Sequence, residues 1–535
     1  MAGVEISRLI LISIFALAGY NFPMLRRWWK AKRYRRGQSK IGKKRKPNVT
    51  TERGLRWGNI WLPESAATEH FLCAGKTGSG KSNIMQLFMR EPLLRLGPGC
   101  DQRAIFFDTK NEAAIYLRKI GVRCPIYSMN PFDAGNDLVT PVAWDVATDI
   151  SSPARAQTFA EGMIPEQKST NPFFINAPRQ VFKRTIESLI RHNGKTWTFS
   201  DLIYICLSLD RIKEVLRRDS AGRDCMESYF RRESLASDIF STIASRVDYF
   251  APTAALWQRT SYRISITEWL RGSSIILLGG LATAKASLDH INEQVFRSLV
   301  NNIDEQTGSS KRRTWIVIDE ARLAGPLLKA ELLPYLCVKG RSRGVAVVIA
   351  FQDMEGLQQA AGKELAEEIV SQMGHKALLR MDTAKSAKWA ADQLGEFETI
   401  EYFESDGMSR SRSISAQRVL RNAVLPTEVM QLPLANKNRG VTGYFLSPSI
   451  GAYRGVVSSA DIAEIHLGDR FLTQWRMRIR PETDQWMREW AVADEERLGL
   501  SLGNSVVEHR LEKTIQLQTR LNRTRKTNSQ DRVRA

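Results

Sequence analysis

An eight-residue run, GKTGSGKS from Gly75 to Ser82, limits the folds open to this chain more than anything else in it. The residues before it, His70 to Ala74, read as a short buried strand, and those after it, Asn83 to Leu96, repeat apolar side chains at helical spacing. A glycine-rich turn between strand and helix is where backbone N–H groups converge on a phosphate at a helix N-terminus. Gly75, Lys76, Thr77, Gly78, Ser79, Gly80, Lys81 and Ser82 form this cradle; Lys81 supplies a point charge for the β and γ phosphates, and Ser82 a hydroxyl ligand for Mg²⁺. The chain is therefore expected to be α/β, with a RecA-like P-loop sheet domain that takes ATP.

Such a loop needs a metal-side carboxylate on another strand. TWIVIDEA, Thr314 to Ala321, provides it: Asp319 for the Mg²⁺ shell and Glu320 to polarise the attacking water. A site that only binds nucleotide has little use for the second acid. Further short apolar runs ending in polar residues read as parallel strands: Ala104 to Asp108, Ser274 to Leu278, Val345 to Phe351 and Lys376 to Arg380. Ligands collect at the carboxyl ends of such strands, which makes Gln352 a candidate to sense the γ-phosphate or orient water, with Asp108 and Arg380 as lesser candidates.

Between Ala156 and Tyr262 the texture changes. RQVFKRTIESLIRH, LASDIFSTIASRVDYF and TFSDLIYICLS, with a capped start at Ser200, are helical patterns with little alternation of period two, so an inserted all-helical domain is expected. The expected organisation is an anchor at 1–25, a polybasic linker at 26–47, the nucleotide-binding domain in two parts (48–155 and 263–475) around the helical insertion at 156–262, and a helical, basic tail at 476–535.

The N-terminal anchor rests on Leu9 to Leu25, seventeen residues without a charge. That is short for a bilayer, but Arg8 can snorkel and Trp28 and Trp29 suit an interface. Next to it, Leu25 to Pro47 carries twelve Lys and Arg and no acid, against a formal net charge of +21 for the whole chain. Lipid headgroups, a nucleic-acid backbone and water are all open to this stretch, with an anionic leaflet favoured. The expected location is single-pass in a bacterial inner membrane with the bulk in the cytoplasm. Six scattered cysteines with no metal spacing fit reduced structural thiols. Met408 to Arg421, basic and Ser-rich, reads as a surface loop.

These residues together resemble the coupling proteins of type IV secretion and conjugation systems, hexameric DNA-translocating ATPases similar to the FtsK and HerA motors. The resemblance runs from about Asn48 to Leu446 and is carried by GKTGSGKS, FFDTKNEAA, WIVIDEARLAG, VLPTEVMQLP and the run from GRSRGVAVVIAFQDMEG to AADQLGE. It implies a membrane-anchored ring that pumps DNA, without regard to sequence and bound to a relaxase, toward a secretion channel. Lys81, Ser82, Asp319, Glu320 and Gln352 match the family's nucleotide motifs. Arg341, in KGRSRG, falls where the family presents an arginine to the neighbouring subunit's ATP, with Arg343 and Arg380 as rivals. The alternatives are a nucleotide-switched receptor for secreted proteins and a soluble segregation pump. The sequence departs from the family in two places: one apolar run stands where relatives usually have two, and DTKNE stands where they tend to show D-P-K-G-E.

Overall fold

A computed structural model describes residues 35–37, 41–43, 54–135, 137–166, 172–329, 332–406, 412–465 and 477–500. Leu9 to Leu25, most of the polybasic linker and everything after residue 500 lie outside them, so the anchor and the basic tail do too. Among the described residues no helix is long and apolar enough to cross a membrane. The chain divides into two compact units: 1–92 with 319–322 and 347–467, and 93–318 with 323–346 and 468–535.

The first unit is built around a strand of four fully buried residues, Phe71–Ala74. Parallel strands flank it on both sides, Val345–Phe351 with Ala350 opposite Cys73 and His375–Leu378 with Ala377 opposite Cys73. Beyond His375–Leu378 the direction reverses: Val441–Ser447 and Gly451–Val457 are antiparallel, and Gly42–Lys43 closes that side. Strands buried on both faces read as unbroken apolar runs, and VAVVIAF is buried throughout. The strand forecast at Lys376 to Arg380 is displaced by one residue at its start and ends at Leu378.

An aromatic cluster fills the space behind the central strand. Trp57 meets Phe71 edge-on at 5.1 Å, and the His375 ring stacks on Phe71 at 4.5 Å. Burial holds the His375 imidazole down to about 4, even with Glu69 Oε2 3.0 Å from Nε2, and its Nδ1 shares a hydrogen bond with Ser447 Oγ at 2.9 Å. A buried neutral histidine protonates more readily in the unfolded chain, so its contribution is complete above the ordinary histidine pKa and is lost as pH falls toward 4. The unfolding free energy of the wild type is expected to fall by up to about 1.4 kcal/mol per pH unit over that window from this group alone. Denaturant titrations at pH 7, 6 and 5 check it; His375→Gln should flatten the slope, and an unchanged slope would refute the assignment.

Met408 to Arg421 is not a loop over most of its length. Arg412–Asn422 is a strand paired antiparallel with Glu396–Asp406 along eleven residue pairs, from Glu396 opposite Asn422 to Asp406 opposite Arg412. From Ser415 to Arg421 every side chain is exposed except a half-buried Val419, so no buried face marks this strand in the sequence. Arg421 pairs with Glu401 across the ribbon at 2.8 Å. Three residues of the basic linker, Arg35–Gly37, add an antiparallel third strand along Phe397–Thr399.

The second unit carries five parallel strands in the order Arg313–Ile318, Gln102–Asp108, Ile275–Gly279, Ile126–Ser128 and Thr140–Pro141. The α/β expectation with a large parallel sheet is thus met. Between Pro153 and Gln258 the described residues form seven α-helices and no strand. The helix Phe199–Cys206 is capped at Thr198, two residues before the cap expected at Ser200. Thr198 Oγ accepts from Asp201 N (3.1 Å) and Asp201 Oδ2 from Thr198 N (2.8 Å), a reciprocal cap. The Ser200 hydroxyl instead donates to Ala254 O at 2.7 Å. Asp201 is buried and takes a two-point contact from Arg497 at 2.9 Å, which ties the helix Val492–Leu498 onto these helices.

Candidate active site

The turn after Phe71–Ala74 is held by the strands on either side. Gly75 N donates to Phe351 O at 3.2 Å and Lys76 N to Arg380 O at 2.8 Å, so both neighbouring strand ends fix where the loop begins. The helix Lys81–Leu94 takes over at its other end, with Ile84 N donating to Gly80 O. Gly80 sits at φ +98°, and a Cβ there would stand 2.4 Å from Val441 Cγ2, so only glycine fits. Lys81 is buried with its ammonium turned into the loop, donating to Gly75 O (2.6 Å) and Lys76 O (3.2 Å). Ser79 is 1% exposed, and its hydroxyl has no partner among the described residues.

Asp319 and Glu320 follow the strand Arg313–Ile318 directly. Glu320 is buried, and Gln352, the residue after Phe351, donates from Nε2 to Glu320 Oε2 at 3.1 Å. Because Phe351 also accepts from Gly75, the chain Gly75, Phe351, Gln352, Glu320 joins the loop to the acid. Cys73 beneath the loop reports the other two charges: burial pushes its thiol far above the ordinary range, Lys81 pulls it down and Asp319 pushes it up. Lys81, Asp319, Glu320 and Gln352 therefore gather around one strand end. The Asp319 carboxylate and the Ser82 hydroxyl, both half-buried, are hard oxygen donors of the kind Mg²⁺ takes with phosphate oxygens, and the donor set fits that ion.

The remaining candidates have partners of their own. Asp108 caps the helix Ala113–Lys119, accepting from Glu112 N and Ala113 N at 3.1 and 2.8 Å. Arg341 belongs to the second unit, where it is exposed on the one-turn helix Gly340–Arg343. Its rival Arg343 is tied down by the carbonyls of Gln306, Lys339 and Asp304 at 3.0, 3.1 and 2.9 Å. Arg380 pairs with Asp382, which also holds Lys76 of the loop and whose carboxyl is kept low by that lysine first. Asp382 was missed by sequence reasoning; its only signal was its place just past a strand end. Also missed was NKNRG, Asn436 to Gly440, whose Asn and Gly spacing marks a tight hairpin turn. Ala435 N, beside it, donates to Gly78 O at 3.1 Å.

Comparison with known proteins adds the family. A model described as the type IV secretion-system coupling protein DNA-binding domain matches residues 55–449. The coupling protein TraD of Escherichia coli (strain K12) is 20% identical over 384 residues, 68% of this chain and 50% of TraD, so the chain spans about half the length of that curated relative. Among solved structures, the unbound bacterial conjugative coupling protein TrwB lacking its N-terminal segment superposes with a TM-score of 0.58 at 19% identity, covering 77% of this chain and 89% of that one. The TrwB complex with ADP and Mg²⁺ gives 0.57 at 18%, covering 82% and 93%. With the family model spanning most of its length, this chain belongs to the type IV secretion-system coupling proteins.

Proposed function

We propose that the chain is a membrane-anchored, ring-forming ATPase that uses ATP hydrolysis to pump relaxase-bound DNA toward a type IV secretion channel. The observation that carries the catalytic part is the buried Glu320, held by Gln352 at 3.1 Å at the strand end that also fixes Gly75. A carboxylate so placed takes the proton of the attacking water as the new oxygen–phosphorus bond forms, and the ADP oxygen leaves on the opposite side. Lys81 and the loop amides hold the phosphates, and Ser82 and Asp319 hold Mg²⁺, whose charge offsets that of the β and γ oxygens when bound. TrwB is known bound to ADP with Mg²⁺ and to a non-hydrolysable ATP analogue, which supports the same cofactors here.

In a ring, Arg341, exposed on the turn Gly340–Arg343, would be the arginine offered to a neighbour's ATP. A hexamer in the inner membrane, with Leu9 to Leu25 as its anchor, completes the reading. DNA contacted through phosphate makes stimulation independent of sequence and sensitive to salt. The full chain in detergent or vesicles, assayed for phosphate release with and without single-stranded and duplex DNA, tests the pump. Turnover is expected to rise at least about tenfold with DNA and to fall back as salt is raised. Equal turnover with and without either form would replace the pump by a nucleotide-switched receptor for protein substrates.

A further inference from the structure

The turn Asn436 to Gly440 is the least explained element beside the loop. It is locked by reciprocal bonds, Asn436 N to Gly440 O (3.1 Å) and Gly440 N to Asn436 O (2.8 Å), and by Asn438 N donating to Asn436 Oδ1 at 2.8 Å. Gly440 stands at φ +73°, and a Cβ there would lie 1.9 Å from Val457 O, so the turn cannot relax around a larger residue. Its base is pinned to the phosphate loop through Ala435 N and Gly78 O, and Val441 just after it packs on Gly80. A rigid turn therefore holds Lys437, Asn438 and Arg439 exposed at the loop's outer end, and neither cation has an ion pair among the described residues.

Two cations with no counter-charge among the described residues, next to a nucleotide loop, call for an anion or a π face. The phosphates are already matched by the loop amides and by Lys81, buried on the helix side. Gly78, by contrast, has nothing within 4 Å of its Cβ position, leaving room at the outer tip for the rest of a nucleotide. We propose that the turn is the nucleoside-binding edge of this site, with the Arg439 guanidinium on the purine face, Lys437 beside it and the Asn438 amide available to the base edge or ribose. A cation over an aromatic ring attracts through the ring quadrupole, and arginine also stacks flat. This rests on the nucleotide reading of Gly75 to Ser82, and it makes a segment some 360 residues downstream part of the same site.

The test uses the full chain carrying Lys437→Ala with Arg439→Ala, and titration calorimetry with ATP and with inorganic tripolyphosphate, which has the phosphates and no nucleoside. ATP affinity is expected to drop about tenfold with tripolyphosphate affinity unchanged, and Arg439→Lys alone to lose less than Arg439→Ala. Both side chains are exposed, so the melting temperature without ligand should stay at the wild-type value. Unchanged ATP affinity overturns the proposal, and so does an equal loss for both ligands, which would make the turn a phosphate contact. Lys81→Ala run alongside separates the two levels: if it too left both ligands bound at wild-type strength, the nucleotide reading itself would fail.

Discussion

Glu320→Gln is expected to reduce ATP turnover about 10²–10⁴-fold while leaving ATP bound. The substitution keeps size and shape in a position only 5% exposed, and an amide can still accept the Gln352 Nε2 hydrogen at its oxygen, so local packing is preserved. What disappears is the ability to take a proton from water. Phosphate release and nucleotide titration on the same protein separate the two effects. A variant that turned over within about twofold of wild type would remove Glu320 from the chemistry. One that failed to bind ATP would instead place the carboxylate in ground-state binding.

Lys81→Ala should act earlier, on binding itself. Its ammonium donates to Gly75 O and Lys76 O at 2.6 and 3.2 Å, so the same group that would meet phosphate also ties the first two residues of the cradle. Charge-assisted hydrogen bonds contribute about 1.5–3 kcal/mol each, and losing them to both phosphates should weaken ATP at least about 100-fold. Turnover then vanishes at any practical nucleotide concentration. Calorimetry on the full chain measures it, with a thermal melt to show that the fold is intact. ATP held within about tenfold of wild type would contradict the role given to Lys81.

Most of this centre was legible because its parts are strand ends. An unbroken apolar run that stops at a polar residue marks both a buried strand and the place where its side chains reach a ligand, which is why GKTGSGKS, Asp319, Glu320 and Gln352 could be named beforehand. Asp108 ends a strand by the same pattern, and its two oxygens go to Glu112 N and Ala113 N at the start of a helix. Pattern locates the end of a strand; the chain that follows decides what the residue does there. The ribbon Glu396–Asp406 with Arg412–Asn422 escaped notice since neither strand has a wholly buried face, so apolar and polar residues need not alternate. The turn Asn436 to Gly440 went unread as part of a site, because nothing local says which loop it will touch.

The two units described above are each threaded from three separate pieces of chain. Gln352 and the Asn436 to Gly440 turn follow Lys81 by hundreds of residues, so the contacts that fix the loop, Gly75 N to Phe351 O and Ala435 N to Gly78 O, close only when distant segments meet. For the bench the corollary is that no cut from either terminus isolates a working half.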